Sequence, residues 1–419
     1  MKKSLILYSL STALNKGAIL LFFPLLTQFL TLEEFGKWSL IIIVSNLLIP
    51  MLSLNGTAGI LREGSQNLHI GFFLLKKYIF ISSIISLIFG MGVYLIAKDN
   101  WFFYSIFIGS AEALLLLSLT FIRTEGRALL YFIIILLKTL ALLAVVLYAR
   151  QYDLELPILA QYYIYTIALF ALTSNIYLLF QYKFNHLEFE FKPIFIFGIL
   201  LIPHGLSQWI MSSSDRLILE YTLGSYEVGV YSLAYNIALI LMLINSAIAL
   251  SIPPYMIKNI DRWKNENYDH KLITYYTVLS IVLFFIVISL YALDKRYTQI
   301  LGYYGEEMIL MIFFIYVAIY LLGLYYLYAN YLFYHKQAII ISKTTLYAAI
   351  FNIVATVLFV YLFGTIGAAL ATLFAYIYYL YNIRKQTLKI EPLLQIPLMK
   401  NISIFLILTT IISLGFYNV

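Results

Sequence analysis

The chain has 419 residues, of which 63% are hydrophobic and 11% are charged. The apolar fraction of soluble globular proteins is nearer one half, so this composition excludes that class. The absence of cysteine excludes disulfide bonds and thiolate metal sites, and the five histidines lack the spacing of metal ligands. The formal net charge of +7 does not indicate nucleic acid here, because the positive charges lie mainly in the connections between apolar segments.

The apolar residues fall in runs of about 20, the length that a helix needs to cross a membrane. Twelve spans are predicted, at residues 5–30, 38–61, 78–97, 101–122, 129–149 and 157–180, and at residues 193–219, 230–252, 272–293, 308–333, 338–363 and 366–383. A weaker segment, 402–416, has only 15 residues and is either a thirteenth span or an interfacial helix. The predicted fold class is therefore an all-α, polytopic membrane protein of about twelve spans.

The start of the chain, Met1-Lys2-Lys3 followed by apolar residues, is similar to a signal peptide. The apolar run continues to Leu30 without a small-residue cleavage site, so we interpret it as a retained first span. With the N-terminus in the cytoplasm, 19 of the 27 Lys and Arg residues fall in cytoplasmic segments and five in outer loops, the other three lying within spans. This bias predicts a cytoplasmic N-terminus.

An internal repeat divides the chain. The sequence LTLEEFGKWSL at residues 30–40 returns as LGSYEVGVYSL at residues 223–233, after the first and the seventh span. The predicted domains are a six-helix bundle at 1–185, a second at 186–385 and a tail at 386–419, with the boundary near His186. Membrane proteins built from two matching halves usually bind their substrate between the halves, which indicates a transporter.

Five ionisable residues fall inside predicted spans: Lys16, Glu112, Lys138, Asp215 and Arg216. Each costs about 2.5–3.5 kcal/mol at the centre of a spanning helix, so we expect these side chains to face a hydrated cavity or one another. Lys138 could instead extend toward the interface. Asp215 and Arg216 could form a local ion pair. Glu112 could carry a proton or a cation, or be the partner of a lysine.

Helical spacing places further polar residues on the same faces as these charges. The groups are Lys16 with Ser9, Thr12 and Thr27; Asn46 with Ser53 and Thr57; Glu112 with Ser105 and Arg123; Lys138 with Arg127 and Tyr131; and Gln208 with His204, Ser212 and Asp215. Polar faces on several helices predict a shared hydrated lumen. The 38 tyrosines could stack on sugars, but interfacial positions and compositional bias are the favoured interpretation.

The motifs of common enzymes do not occur in the sequence. It has no GxxxxGK[ST] loop for ATP, no HExxH or GxSxG motif and no pair of carboxylates in an outer loop. No catalytic residue is predicted, and the chain is not expected to be an enzyme.

Three stretches of the chain resemble one known family. They are Ser214-Asp215-Arg216-Leu217-Ile218-Leu219 with the repeat copy that follows it up to Ala234, Gly36-Lys37-Trp38-Ser39, and GTIGAALAT at residues 364–372. They resemble the Wzx-type O-antigen flippases of the multidrug/oligosaccharidyl-lipid/polysaccharide (MOP) exporter superfamily. Length, span number and repeat also agree, so the resemblance covers nearly the whole chain.

The resemblance implies a MATE/MurJ-like pair of six-helix bundles in the bacterial inner membrane. It implies that undecaprenyl-diphosphate-linked O-antigen or capsule repeat units cross to the periplasmic leaflet by alternating access, coupled to H⁺ or Na⁺ and without another cofactor or metal. A polymerase and a chain-length regulator would be partners besides membrane lipid, and nucleic acid would not. Within the lumen, substrate would meet Lys16, Lys138, Arg216, Asn46 and Gln208, while Glu112 and Asp215 would serve ion coupling or pairing.

Two alternatives remain open. Multidrug exporters of the same superfamily typically carry an acidic residue in the first helix, where this chain has Lys16. A membrane-embedded glycan polymerase usually needs a sizeable outer loop, and the longest predicted here spans only residues 294–307.

Overall fold

The computed structural model describes residues 2–97, 101–182, 189–392, 394 and 396–417. The described chain divides into two compact units, Met1–Leu206 and Ser207–Val419. The domain boundary predicted from the sequence, together with His186, lies outside the described residues and stays a prediction.

Eight helices begin in the first unit, and the last of them continues into the second. They are α1 (Lys2–Leu26), α2 (Leu32–Leu52), α3 (Gly56–Gly64), α4 (Leu68–Ala97), α5 (Trp101–Thr124), α6 (Ala128–Gln151), α7 (Leu156–Gln181) and α8 (Phe191–Thr222). The second unit continues with α9 (Ser225–Ala238), α10 (Ile240–Lys258), α11 (Ile260–Asn265), α12 (Tyr268–Leu293), α13 (Met308–Tyr334), α14 (Ala338–Ile390) and α15 (Leu398–Tyr417). A π-helical turn, Asp294–Thr298, extends α12.

Each unit is organised around one largely buried helix. In the first unit α5 packs against α2, α4 and α7, and in the second unit α13 packs against α9, α10 and α14. These two helices are the fourth predicted span of their respective halves. The corresponding positions of α5 and α13 agree with the internal repeat in the sequence.

The first copy of the repeat forms the start of α2. The Thr31 hydroxyl accepts a hydrogen bond from the backbone N–H of Glu34, and the Glu34 carboxylate accepts one from the backbone N–H of Thr31. This reciprocal arrangement satisfies two amides at the helix terminus and fixes where α2 begins. In the second copy Gly224 precedes α9 with a φ of 92°, a conformation that favours glycine.

The predicted second span, 38–61, is wrong as a continuous helix. It is interrupted between α2 and α3, where Leu54 and Asn55 both have a φ of 50°. Pro50 has no amide hydrogen to donate to the carbonyl oxygen of Asn46, so α2 is already weakened one turn before the interruption. Gly198 of α8 packs so closely here that an added Cβ would lie 2.5 Å from the Leu54 carbonyl oxygen. The interruption separates Asn46 from Thr57, which the sequence placed on one helical face.

Twelve helices of the described chain are long and apolar enough to cross a membrane, which confirms the predicted fold class. One of them, α14, has 53 residues, and its backbone leaves helical geometry at Gly364 (φ 60°, ψ −140°). A straight helix of that length would measure about 80 Å, far more than a bilayer core. The bend therefore separates the two predicted spans 338–363 and 366–383. The segment 402–416, predicted as either a thirteenth span or an interfacial helix, lies in α15. This helix has 20 residues and packs against α12.

Candidate functional site

The first unit contains an ion pair at mid-helix depth. The Nζ atom of Lys138 on α6 lies 2.8 Å from Oε1 of Glu112 on α5, and the exposed fractions of the two side chains are 4% and 24%. Lys138 therefore does not extend to the surface of this unit. Because a buried ammonium group is costly without a partner, the Glu112 carboxylate compensates a charge that would otherwise be isolated.

The ion pair forms part of the wall of a cavity of about 220 Å³ within this unit. Polar groups at five further positions share the cavity: Asn15 on α1, Ser45 and Asn46 on α2, Thr139 on α6 and Tyr163 on α7. The rest of the wall is mostly aliphatic. A cavity with one compensated cation, two amides and a phenol can bind an anionic or strongly polar group.

Contacts around the cavity fix the helices that line it. The buried Ser45 Oγ lies 3.0 Å from the carbonyl oxygen of Ser105, a contact between α2 and α5. Gly109 lets the same two helices approach, since an added Cβ would lie 3.1 Å from the Ser45 carbonyl oxygen. Trp38, from the first repeat copy, packs edge-on against the Tyr163 ring at 5.0 Å between centroids. The repeat motif thus supports a residue of the cavity.

The polar faces predicted on α5 and α6 are only partly continuous in the structure. The guanidinium carbon of Arg123 lies over the face of the Tyr8 ring of α1, 5.6 Å from its centroid. Tyr8 in turn packs edge-on against Tyr131 of α6. Arg127, in contrast, turns toward α7 and donates hydrogen bonds to Tyr177 and Gln181. The predicted alignment of Arg127 with Lys138 therefore does not produce a common polar surface.

The second unit buries two of the charges that the sequence placed inside spans, Asp215 and Arg216. The Asp215 carboxylate accepts hydrogen bonds from the Arg216 backbone N–H at 2.8 Å, from the Tyr231 hydroxyl and from Thr372 Oγ1 at 3.4 Å. Asp215 is 2% exposed. Three donors from α8, α9 and α14 thus meet at one carboxylate, in place of the local side-chain pair that the sequence suggested as one alternative.

Two aromatic rings pack against the Arg216 guanidinium. Its guanidinium carbon lies 4.1 Å from the centroid of Tyr235 and 5.7 Å from that of Tyr231, and the residue is 4% exposed. Rings at these distances attract a guanidinium through their negative faces. The Nε atom is buried and makes no hydrogen bond in the described chain.

The motifs that carried the family resemblance meet in this unit. The Thr365 hydroxyl donates to the Glu227 carboxylate, which joins the GTIGAALAT stretch to the second repeat copy. Thr372 of the same stretch and Tyr231 of the repeat copy both contact Asp215. Sequence reasoning missed Tyr231 and Thr372 as partners of Asp215, although both lie inside stretches that the resemblance had marked.

The predicted site residues are distributed as follows. Glu112, Lys138 and Asn46 lie together around the cavity of the first unit. Asp215 and Arg216 are buried in the second unit, where Gln208 is exposed on α8. Lys16 lies on α1, and its side chain is outside the described part of the structure. Their roles in binding and coupling stay predictions.

The buried tyrosines serve helix packing. The Tyr276 hydroxyl donates to Asn245 Oδ1 at 2.8 Å, and the Tyr320 ring stacks on Phe405 of α15 at 3.7 Å. Tyr331, with Trp263, donates to Asp269, an acid that is 6% exposed and that the sequence analysis did not single out. Its position at the polar start of α12 gave no signal of burial.

Among the described residues no group of three or more His, Asp and Glu side chains is placed to hold a metal ion.

The fold is similar to that of solved membrane transporters. One is an inward-facing multidrug resistance MATE family transporter of the MOP superfamily, with 15% identity, a TM-score of 0.63, and coverage of 90% of this chain and 96% of that chain. Another is the lipid II flippase MurJ in an inward closed conformation, with 15% identity, a TM-score of 0.63 and coverage of 98% of both chains. An outward-facing MATE transporter matches at 15% identity and a TM-score of 0.57, over 93% of this chain and 97% of that one.

These matches confirm the predicted MATE/MurJ-like fold. No protein-family model and no curated protein matches the sequence. At such identities the similarity establishes the architecture, and function has to be argued from the residues of this chain.

Proposed function

We propose that this multi-pass membrane protein is a flippase for polyprenyl-diphosphate-linked oligosaccharides, the O-antigen or capsule repeat units of a bacterial inner membrane. The observation that carries the proposal is Lys138, a lysine 4% exposed at mid-helix depth on the wall of a polar cavity. A cation at that depth has a large free-energy cost in a membrane protein. Binding of a charged diphosphate would explain why this cation is kept.

The fold supports a transporter. The chain aligns along 98% of its length with a lipid II flippase and along 90% with a multidrug transporter. Alternating access is the mechanism that both the repeat and the family resemblance favour. The resemblance to the Wzx-type flippases narrows the proposed substrate to lipid-linked oligosaccharide. It is carried by the stretch around Asp215, the second repeat copy and the GTIGAALAT stretch.

The proposed roles follow from charge. Lys16, Lys138 and Arg216 attract the diphosphate or acidic sugars, with Asn46 and Gln208 as neutral polar contacts. Glu112 and Asp215 serve pairing or coupling to H⁺ or Na⁺. The distribution of Lys and Arg favours a cytoplasmic N-terminus, so that substrate is taken up on the side where it is made. A polymerase and a chain-length regulator would receive the product.

Multidrug export is the second candidate, because the fold is shared equally with MATE transporters. A cationic drug needs an acidic site, whereas the described cavity pairs its one acid, Glu112, with Lys138 at 2.8 Å. The cavity is therefore better suited to an anion. A glycan polymerase is disfavoured by the short loop between α12 and α13.

A deletion strain tests the proposal. Loss of surface polysaccharide, with complete lipid-linked repeat units stranded on the cytoplasmic leaflet, is the expected result. Single repeat units that still reach the surface would indicate a polymerase. An unchanged glycan profile with raised drug sensitivity would indicate an exporter. Complementation with Lys16→Ala, at wild-type protein levels, is expected to fail; normal glycan would remove Lys16 from the mechanism.

A further inference from the structure

We propose that Glu112 is the resting occupant of an anion site centred on Lys138, and that a diphosphate group replaces the Glu112 carboxylate when substrate binds. This inference rests on the proposed function and adds a device that protects the empty site. The two side chains then have different tasks: Lys138 is the fixed half of the site, and Glu112 is its exchangeable half.

Exchange at this site requires Glu112 to be more accessible than Lys138, and the exposed fractions of the two side chains agree with this. The Lys138 side chain is 4% exposed and its Nζ atom is held 2.8 Å from Glu112, while the Glu112 side chain is 24% exposed. Both side chains line the cavity, and the carboxylate is the more exposed of the two. A rotation of the Glu112 side chain toward water would leave the lysine in place and open one side of its ammonium group.

The cavity offers further donors to an incoming anion. Asn15 and Asn46 line it with amide groups and Tyr163 with a phenol. The hydroxyls of Ser45 and Thr139 already donate to backbone carbonyl oxygens, at 2.6 Å to Ile41 and 2.8 Å to Ile135. The amides and the phenol are thus the groups suited to surround an anion beside Lys138, because N–H and O–H donors bind oxyanions directly.

The cavity is large enough for a diphosphate group. Its volume is about 220 Å³, several times the roughly 30 Å³ that one water molecule occupies in the liquid. We therefore assign the cavity to the diphosphate, with the attached sugars extending beyond it.

Exchange is energetically reasonable because one anion replaces another. An unpaired ammonium group at this depth would carry a large desolvation cost, which a carboxylate or a phosphate oxygen offsets. A neutral or cationic molecule that displaced Glu112 would leave Lys138 uncompensated. The pair thus rejects molecules without a negative charge.

Binding of inorganic pyrophosphate to the purified full-length protein in nanodiscs, by calorimetry, tests the proposal. Glu112→Gln removes the competing carboxylate and is expected to bind pyrophosphate at least tenfold more tightly than the wild type. Lys138→Gln and the double variant Glu112→Gln/Lys138→Gln are expected to show no binding. Glu33→Gln, which removes a carboxylate from an exposed pair with Lys37 at 2.6 Å, is the matched control and should bind like the wild type.

Equal or weaker binding by Glu112→Gln would overturn the proposal, and so would pyrophosphate binding that survives in the double variant. The double variant keeps the test decisive if Lys138→Gln alone does not fold, since it leaves no charge unpaired. Farnesyl diphosphate identifies the source of the group: Lys138-dependent binding tighter than that of pyrophosphate supports a lipid diphosphate, and equal binding supports recognition of the diphosphate alone. If glucuronate binds while neither pyrophosphate nor farnesyl diphosphate does, the assignment of the cavity to a diphosphate is overturned.

The outcome is separable from that of the proposed function. If the deletion strain strands lipid-linked repeat units but Glu112→Gln binds pyrophosphate no better than the wild type, the flippase stands and the exchange at Lys138 is overturned. If Glu112→Gln binds tightly while the deletion strain keeps its glycan, the anion site stands and the flippase proposal is wrong.

Discussion

The Tyr231 hydroxyl of α9 donates a hydrogen bond to Oδ2 of Asp215 on α8, and Thr372 of α14 lies 3.4 Å from the same oxygen. Three helices of the second unit are therefore joined at one buried carboxylate. A carboxylate buried in this way depends on its donors, because no water replaces a lost hydrogen bond.

Tyr231→Phe removes the hydroxyl and keeps the ring that faces Arg216. Since a hydrogen bond to a charged group contributes about 1.5–3 kcal/mol, we expect the variant to lose stability of that size. Thermal unfolding of the purified protein in detergent measures it. Tyr221→Phe is the control, because Tyr221 is 93% exposed. Equal unfolding temperatures of the two variants would contradict the interpretation of the Asp215 contacts.

Lys138 and Glu112 give a prediction on stability as well as on binding. Removing Glu112 leaves the Lys138 ammonium buried and unpaired, which costs about 3–5 kcal/mol, whereas removing both charges costs little. Glu112→Gln is therefore expected to be much less stable than Glu112→Gln/Lys138→Gln. Unfolding by denaturant, followed by tryptophan fluorescence, compares them. A double variant as unstable as Glu112→Gln would contradict the view that charge compensation is the main role of the pair in the empty protein.

Gly323 on α13 is required by close packing. An added Cβ would lie 2.0 Å from the Tyr276 hydroxyl oxygen and 2.6 Å from Asn245 Oδ1, the two atoms that form a buried hydrogen bond. Gly323→Ala is expected to cost about 1–3 kcal/mol or more, because overpacking also displaces this hydrogen bond. Gly205→Ala is the control, since its added Cβ meets no atom of the described residues within 4 Å beyond its own stretch of helix. A stability loss no larger than that of the control would show that the contact relaxes.

The contacts of Glu391 with Lys264 and His335, just after α14 and outside the spans, are expected to be sensitive to acid. Burial would raise its pKa, but hydrogen bonds from Lys264 and His335 hold that pKa below its ordinary value. A lowered pKa contributes stability above the ordinary carboxyl pKa, about 4.3, that is lost as the pH falls through the lowered value. We expect Glu391→Gln to remove part of the stability decrease below pH 4. The exposed Glu306→Gln is the control, and identical pH profiles of both variants would contradict this.

Most spans and the charges inside them could be predicted from the sequence, because runs of apolar residues and rare buried charges are local signals. The predicted span 230–252 is wrong as one helix, since Leu239 divides it between α9 and α10. The pairing of Glu112 with Lys138 was only one of several alternatives, since helical spacing relates residues of one helix and not of two. The contacts of Asp215 with Tyr231 and Thr372 join separate helices, so that only packing determines them. The interruption at Leu54 and Asn55 was missed although Pro50 and the turn-favouring pair Asn55-Gly56 mark it in the sequence.

Reconstituted transport tests the central claim most directly. Purified protein in liposomes should move a polyprenyl-diphosphate-linked oligosaccharide from one leaflet to the other, as measured by its accessibility to an impermeant glycosidase. We predict protein-dependent transfer that falls at least tenfold in Glu112→Gln/Lys138→Gln, with no uptake of a cationic dye. Dye uptake without any transfer of the lipid-linked oligosaccharide would contradict the flippase account.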